Sequence, residues 1–249
     1  SIGGVRAGRA DGKGASMNPA TTTPNPGATI VSGAGGAVGG AIARHLASLG
    51  ARLVLPTRSA PDALAERFPE ATVVAADLLD AADAGRVAEL ALERHGAIDA
   101  LLNVAGGFAM GSALTLTRED LERQLDVNLR TAVTLTGACL GAMVERGRGT
   151  LIAVSAGAAA RGGRNMGAYA ASKAALEGYL RSVRAEVEPH GVGVSLLVPE
   201  GTVDTSANRE AMPDADRAGW IDPAALAEAA AFLLARGPRG RVAQLRVHA

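Results

Sequence analysis

The chain has 249 residues, of which 48% are hydrophobic and 20% are charged, and this composition excludes intrinsic disorder for the body of the chain. Its 25 Lys and Arg residues balance 25 Asp and Glu residues, so a net charge of zero argues against an electrostatic nucleic-acid binder or a polybasic membrane binder. The single cysteine, Cys139, excludes an intramolecular disulfide and a cysteine-based zinc cluster. We find no secretory signal and no uncharged membrane-spanning stretch, and we expect a cytoplasmic protein.

The first 27 residues differ in character from the rest of the chain. Residues 1–16 are Gly-rich and aperiodic and precede Met17, which is typical of a leader added by cloning, and residues 17–27 are expected to form a flexible N-terminus. Residues 28–249 suit one large domain. Within it, residues 202–221 have no clear period, and we interpret this segment as a mobile lid beside a site.

Short apolar runs alternate with longer helix-like segments from residue 28 onward, which predicts βαβ units around a parallel sheet. The predicted strands, β-branched or Leu-rich and expected to be covered on both faces, are residues 28–32, 52–55, 72–75, 100–104, 150–154, 193–198 and 242–247. The clearest predicted helices are residues 38–49, 82–94, 119–144, 168–188 and 223–234. Asn128 and Gly137 interrupt the apolar stripe of the third helix, which leaves open whether it is two helices. Asp222 and Pro223 suit the N-cap and the first position of the last helix.

A glycine-rich turn, SGAGGAVGG from Ser32 to Gly40, connects the first predicted strand to the first predicted helix. Glycines there let the backbone turn tightly and approach a pyrophosphate, whose charge then faces the free amides and the positive dipole end of the helix. The spacing departs from the G-x-G-x-x-G fingerprint because residue 38 is valine. Since the chain has 32 glycines, a purely structural turn is the alternative.

The second predicted strand is followed by Arg58, where dinucleotide-binding folds contact the adenosine ribose. A guanidinium there suits a 2′-phosphate and favours NADP(H), whereas an acidic residue would bind a free 2′-hydroxyl. A solvated loop arginine is the alternative. Asp77, at the end of the third strand, either faces the adenine or caps the next helix.

Tyr169 and Lys173 are four residues apart in a predicted helix and therefore share one face. A phenol has a pKa of about 10 and exchanges protons poorly at neutral pH unless a nearby cation stabilises the phenolate. The chain has 23 arginines but only two lysines, and the other one, Lys13, lies in the leader. The second tyrosine, Tyr179, lies further along the same helix, where packing or an interface explains it. The scarcity of both residue types favours a functional pair.

These elements, in this order, resemble the short-chain dehydrogenase/reductase family from residue 29 to the C-terminus. Ser32 to Gly39 is similar to the family's cofactor loop, and NVAG at 103–106 resembles its Asn-Asn-Ala-Gly element. DVNLR puts Asn128 at the family's helical asparagine, and YAASK, from Tyr169 to Lys173, matches its active-site helix. The resemblance implies a single-domain Rossmann-type doubly wound parallel sheet of about seven strands with helices on both faces.

The resemblance also implies roles for the site residues. Tyr169 would be the general acid in hydride reduction of a carbonyl, Lys173 would bind the nicotinamide ribose and lower the pKa of the tyrosine, and Asn128 would position a water in a proton relay. The residues implied to bind the cofactor are Gly33, Gly35, Gly36, Val38, Gly39, Arg58, Asp77, Leu78, Asn103, Ala105, Gly106, Lys173, Val203 and Thr205. The expected cofactor is NADP(H), with NAD(H) as the alternative, and no metal is expected.

Three positions depart from the family pattern. Ala37 replaces the middle glycine of the cofactor loop, a change that a small residue should allow. Spacing to the tyrosine puts the family's catalytic serine at Ala156, and the neighbouring Ser155 could replace it as a catalytic residue only if the strand end bulges; we expect a true absence. Glu200 stands in the family's Pro-Gly turn and is either a functional carboxylate near the nicotinamide or a solvated loop residue.

Dihydropteridine reductases, one branch of the family, look similar in two segments. They share the alanine of SAGA at 155–158, and their lid has nearly the residue order of 202–220, in which Met212 and Trp220 either contact substrate or anchor the lid. These enzymes reduce a quinonoid pterin, whose conjugated imine has less need of a serine on a carbonyl oxygen. They carry an acidic residue after the second strand, and Arg58 departs from that pattern.

Three functions therefore stay open. They are an NADP(H)-dependent reductase of a small cyclic carbonyl or pterin-like imine, a pterin reductase in the narrow sense, and a cofactor-binding protein with little redox activity because of Ala156. The expected partner is a small-molecule substrate, with no nucleic acid and no membrane. The predicted helices at 119–144 and 168–188 resemble the pair through which the family forms dimers and tetramers, so the resemblance implies a homodimer or homotetramer. Small residues in the first of these helices would permit close helix approach: Ala132, Gly137, Ala138 and Ala142.

Overall fold

A parallel sheet forms the centre of the fold in a computed structural model that describes residues 26–249; the leader and the expected flexible N-terminus up to residue 25 lie outside the described residues. The strands are β1 (Ala28–Val31), β2 (Arg52–Thr57), β3 (Thr72–Ala75), β4 (Ala100–Asn103), β5 (Gly149–Val154), β6 (Val192–Pro199) and β7 (Gln244–Val247). They pair in the order β3-β2-β1-β4-β5-β6-β7, and every pairing is parallel. The predicted Rossmann-type sheet is confirmed.

Helices cover both faces of the sheet. They are α1 (Ala37–Ser48), α2 (Pro61–Arg67), α3 (Ala81–His95), α4 (Arg118–Leu125), α5 (Thr131–Glu145), α6 (Ala158–Arg161), α7 (Gly167–Val187), α8 (Ser206–Ala211) and α9 (Pro223–Leu234). Asp222 caps α9 through the backbone amide of Ala224, with Pro223 in the first turn, as predicted. The periodicity did not reveal the short helices α2, α6 and α8.

Alternating strand residues build two apolar layers. Ile30 and Leu101 lie in the layer that α3, α5 and α7 cover, whereas their chain neighbours Val31 and Leu102 lie in the layer that α1 and α9 cover. Successive side chains of a strand point to opposite faces, so a continuous apolar run is required where helices cover both faces. Most residues of the edge strands β3 and β7 are half-buried. The expectation that these two strands are covered on both faces is therefore wrong. Each lies at an edge of the sheet and has only one neighbouring strand.

The helical run Arg118–Glu145 is interrupted at Asn128 and not at Gly137. A π-helical turn, Asp126–Arg130, joins α4 to α5. The most apolar 18-residue stretch of this run has a mean hydropathy of 1.3, and the run is long enough to cross a membrane by length and composition alone. In this fold α5 packs against α3 and α4 packs against α7, and the run carries a surface ion pair between Arg130 and Glu122. Packing of one face against the core accounts for the apolar pattern.

The predicted lid, residues 202–221, forms a closed loop that contains α8. The Thr205 hydroxyl caps α8 by accepting the backbone amide of Asn208. Val203 forms an isolated bridge with Ile221, and the backbone amide of Asp204 donates to the Ile221 carbonyl, so the two ends of the segment are joined. Motion of this lid stays a prediction.

Candidate active site

A cavity of about 600 Å³ lies at the carboxyl ends of β4, β5 and β6. The sequence-predicted residues that line it are Val38, Gly106, Asn128, Ser155, Ala156, Tyr169, Lys173, Val203, Thr205 and Met212. The sequence-predicted residues outside its lining are Gly33, Gly35, Gly36, Gly39, Arg58, Asp77, Leu78, Asn103, Ala105, Glu200 and Trp220. The cavity therefore unites the predicted catalytic residues with the residues expected near the nicotinamide.

Tyr169 and Lys173 lie near the start of α7. The Lys173 ammonium donates a hydrogen bond of 2.9 Å to the Val154 carbonyl at the end of β5, and Lys173 is only 5% exposed. Burial lowers the pKa of Lys173 to about 8 and raises the pKa of Tyr169 to about 12, because desolvation disfavours both charged forms. Desolvation by burial is the cause of the Tyr169 shift, and the expected lowering of the tyrosine pKa by the lysine stays a prediction.

Phe108 packs against the ring of Tyr169. It lies in the loop after β4 and packs edge-to-face on Tyr169, with ring centroids 4.9 Å apart and an interplanar angle of 89°. Phe108 also lines the cavity and is partly exposed. No periodic pattern singles out Phe108, because it stands alone in an irregular loop.

The π-helical turn brings Asn128 to the same place. Its side-chain amide nitrogen donates to the Gly107 carbonyl at 2.9 Å, and its side-chain oxygen accepts the Gly107 amide at 3.1 Å. A methyl group added at Gly106 would lie 2.7 Å from Asn128 Oδ1 and 3.3 Å from Lys173 Nζ, so both polar groups border the same glycine. π-Bulges recur at functional sites because the extra residue redirects a side chain.

The loop after β4 is held by buried polar groups rather than by cavity contacts. The Ser32 hydroxyl accepts the backbone amides of Val104 and Ala105, each at 3.1 Å. Asn103 is buried, and its side-chain nitrogen donates to the Thr136 hydroxyl of α5 at 2.9 Å. The side chain of Asn103 thus connects the sheet to α5, and its contact with a cofactor stays a prediction.

The glycine turn fits a pyrophosphate. Gly33 has φ of +75°, and an added Cβ there would come within 2.7 Å of the Ala105 amide nitrogen. A Cβ at Gly39 would overlap the Gly33 carbonyl, whereas Gly35 faces open space. Among residues 26–249, no side chain caps the start of α1 at Gly36, so the first amides of the helix are available to an anion.

Two arginines lie near the place where the adenosine of a cofactor is expected. Arg58 is exposed in the turn after β2, and Arg67 of α2, which sequence reasoning missed, donates to the Gly35 carbonyl at 3.3 Å. Asp77 accepts the Leu79 amide, while Asp80 caps α3. The helix-capping alternative for Asp77 is therefore wrong.

The strand end that carries Ser155 does not bulge. The Ser155 amide continues the ladder by donating to the Leu197 carbonyl, and its hydroxyl donates to Glu177 Oε1 at 2.7 Å. The catalytic assignment of Ser155 is corrected accordingly, because its one hydroxyl proton is engaged by Glu177. Ala156 lines the cavity in the place of the family's serine.

Glu200 is neither solvated nor in the cavity lining, which corrects both readings from sequence. Its side chain is 2% exposed and forms ion pairs with Arg161 and Arg246. Hydrogen bonding and charge from Arg161, with Arg246 beside it, hold the pKa of the Glu200 carboxyl below its usual range. Arg161, which the sequence did not single out, does line the cavity.

Residues 28–216 match the short chain dehydrogenase family. The chain belongs to this family. It is 33% identical to the uncharacterized oxidoreductase YxnA of Bacillus subtilis, over 82% of this chain and 61% of that protein. It is 30% identical to the L-xylulose reductase of Bos taurus, over 87% of this chain and 83% of that protein.

A solved structure of a metagenomic short-chain oxidoreductase in complex with NADP superposes with a TM-score of 0.73 at 29% identity, covering 89% of this chain and 96% of that one. The predicted family is thereby confirmed, and the protein is an NAD(P)H-dependent oxidoreductase with a small-molecule substrate. The likeness to dihydropteridine reductases rests on the sequence segments alone.

Proposed function

We propose that this oxidoreductase is an NADP(H)-dependent reductase that delivers a hydride to a small cyclic carbonyl or pterin-like imine, with Tyr169 as the general acid. The observation that carries the proposal is that Tyr169, Lys173 and Asn128 line one cavity at the carboxyl ends of the strands. Ligands of open α/β sheets bind at such an edge. The glycine turn and the uncapped start of α1 lie at the same edge.

In this proposal the chain supplies the proton. Burial raises the pKa of Tyr169 to about 12, so the phenol is protonated at neutral pH and available as a donor. Lys173, with a pKa of about 8, is mostly protonated at pH 7, and its charge favours the phenolate that forms as the proton leaves. When bound, the nicotinamide supplies the hydride. Asn128 and Lys173 border the same glycine, Gly106. This proximity supports a role for Asn128 in a relay that returns a proton to Tyr169 through Lys173.

Two guanidinium groups support NADP(H) over NAD(H). Arg58 follows β2, and Arg67 approaches the glycine turn, so positive charge flanks the expected adenosine end. A 2′-phosphate is doubly negative near neutral pH and gains from such charge, whereas a 2′-hydroxyl does not. The complex of the metagenomic relative with NADP is consistent with this preference.

The lack of a serine hydroxyl favours a substrate that needs one donor. Ala156 presents a methyl group to the cavity, and the Ser155 hydroxyl is engaged by Glu177. A ketone oxygen commonly takes two hydrogen bonds as charge develops, whereas a conjugated imine accepts one proton at nitrogen. This observation keeps a pterin reductase in the narrow sense as the second candidate.

We propose in addition a cytoplasmic homodimer or homotetramer with one domain over residues 28–249 and a lid over residues 202–221. Gly137 of α5 is exposed and Ala138 and Ala142 are half-buried, which supports close packing of a second copy on α5. Ala132 is buried in the core of the protomer, so we no longer include it in the proposed interface. Light scattering of the purified chain measures the assembly.

A substrate panel with two cofactors tests the proposed reaction. NADPH and NADH oxidation is followed at 340 nm with quinonoid dihydropterin, cyclohexanone and substituted cyclic ketones. The proposal expects turnover of one class, with a higher kcat/KM for NADPH than for NADH. Reduction of the pterin and of no cyclic ketone would favour the second candidate, a pterin reductase in the narrow sense. Tight NADPH binding without turnover of any carbonyl or imine would instead support the cofactor-binding alternative that Ala156 suggested.

A further inference from the structure

The cavity is positively charged. Among the residues that the structure describes, the charged side chains that line it are Lys173 and Arg161, and no carboxylate lines it. Lys173 is buried and donates a hydrogen bond to the Val154 carbonyl. Arg161, in contrast, has a side chain that is 60% exposed, so it can meet a molecule that enters the cavity.

Arg161 is anchored in the cavity lining by an ion pair. Its Nη1 pairs with Glu200, whose carboxylate is buried and also pairs with Arg246. A Cβ at Gly157 would overlap both Arg161 and Glu200, so the ion pair lies directly over the turn after β5. That turn carries Ala156, the residue in the place of the family's serine.

The ion pair leaves net positive charge and spare hydrogen-bond donors. The two guanidinium groups and one carboxylate sum to a single positive charge. Within the described part of the chain only Nη1 of Arg161 has an acceptor, which leaves Nε and Nη2 as donors. A guanidinium presents such donors in a planar fork that matches a carboxylate.

The remaining substrate side of the cavity is apolar. Phe108, Met110, Met166 and Met212 line it, and methionine side chains adapt to ligand shape. An apolar wall with one cation suits a molecule with a hydrophobic body and one negative group. An uncharged pterin would leave the guanidinium unused.

We propose that Arg161 determines substrate specificity by binding a carboxylate on the carbonyl substrate, with Glu200 as its positioning residue. The assignment of a carbonyl rests on the proposed function, whereas the anion site itself does not. The substrate class is then a cyclic or aromatic keto acid whose apolar ring contacts Phe108 and the methionines. Specificity arises because the neutral analogue gains no charge-assisted hydrogen bond.

Binding of benzoate and benzamide tests the anion site without turnover, since the two probes have nearly the same shape and differ in charge. Ligand-observed NMR with the full chain, with and without NADPH, measures both dissociation constants. Because Arg161 is partly solvated, we expect benzoate to bind about five- to tenfold more tightly than benzamide. In Arg161→Gln this preference should vanish, with the benzamide constant unchanged.

Arg181→Gln is the matched control. Its side chain is 62% exposed and paired with Glu177, but it lies outside the cavity lining, so the benzoate preference should persist. Equal binding of the two probes to the unaltered chain would overturn the inference. Equal weakening of both probes by Arg161→Gln, or loss of the preference in Arg181→Gln, would likewise overturn it, because the effect would then not be specific to Arg161.

Turnover separates this inference from the proposed function. If cyclohexanone is reduced with NADPH but benzoate shows no preference, the anion site fails while the reductase stands. If benzoate binding depends on Arg161 but no ketone is reduced, the reductase fails while the anion site stands.

Discussion

Replacement of Lys173 by methionine should stabilise the fold at neutral pH although it removes a hydrogen bond. Burial lowers the pKa of Lys173 from its ordinary 10.5 to about 8. Because the folded pKa lies below the unfolded value, the lysine contributes no penalty above pH 10.5, and the penalty grows as the pH falls and is complete below pH 8. The gap between the two pKa values corresponds to about 3 kcal/mol, at about 1.4 kcal/mol per pH unit.

The lost hydrogen bond acts in the opposite direction. Its 2.9 Å contact with the Val154 carbonyl contributes about 1 kcal/mol to folding, and methionine keeps most of the apolar volume. Lys173→Met should therefore be about 2 kcal/mol more stable than the unaltered chain at pH 7 and about 1 kcal/mol less stable at pH 10.5.

Urea unfolding between pH 6.5 and pH 10.5 measures this swing, followed by circular dichroism. Arg181→Met on the same helix is the control, because the Arg181 side chain is 62% exposed and loses little hydration on folding. Its stability relative to the unaltered chain should be independent of pH. A swing of less than about 1 kcal/mol for Lys173→Met, or one of the opposite sign, would refute the burial argument.

Three further outcomes are expected. Gly39→Ala should lose about 1–3 kcal/mol of stability in urea unfolding and bind NADPH poorly, because the new methyl group overlaps backbone atoms. Gly35 faces open space, so Gly35→Ala should keep its stability. Equal loss of stability in both variants would contradict the close backbone approach at the glycine turn. Arg58→Ala should weaken NADPH binding at least about tenfold and spare NADH in fluorescence titrations, and equal weakening would refute the 2′-phosphate contact. In Tyr179→Phe, Tyr169 is the sole tyrosine, so absorbance at 295 nm follows the ionisation of its phenol alone. The midpoint should lie near pH 12. A midpoint at the ordinary value of 10 would show that the ring is not buried.

The strands were predictable because a parallel sheet covered on both faces forces continuous apolar runs. Ile30 and Val31 lie in opposite apolar layers. Each central strand likewise needs apolar side chains on both of its faces. The strand ends were predicted less exactly: the last strand was predicted from residue 242, whereas β7 begins at Gln244, and only β3, Thr72–Ala75, matches at both ends. Pairing with neighbouring strands decides where a strand ends, and the apolar run does not show that pairing.

The site was predictable where its chemistry lies within one element. Tyr169 and Lys173 share a helix face, so the spacing alone brings them together. The ion pair of Arg161 with Glu200 was not, because the two residues lie 39 positions apart and meet only after β5 and β6 pair. The π-helical turn at Asn128 is likewise set by tertiary contacts with the Gly107 backbone.

The central claim is that Tyr169 donates the proton as hydride reaches the substrate. Single-turnover oxidation of bound NADPH, followed at 340 nm with the best substrate of the panel, compares Tyr169→Phe with Tyr179→Phe, which removes the chain's other tyrosine hydroxyl. We predict a rate lowered by about 10²–10⁴-fold in Tyr169→Phe, with the NADPH dissociation constant unchanged, and a rate near that of the unaltered chain in Tyr179→Phe. Equal rates in the two variants would contradict the account.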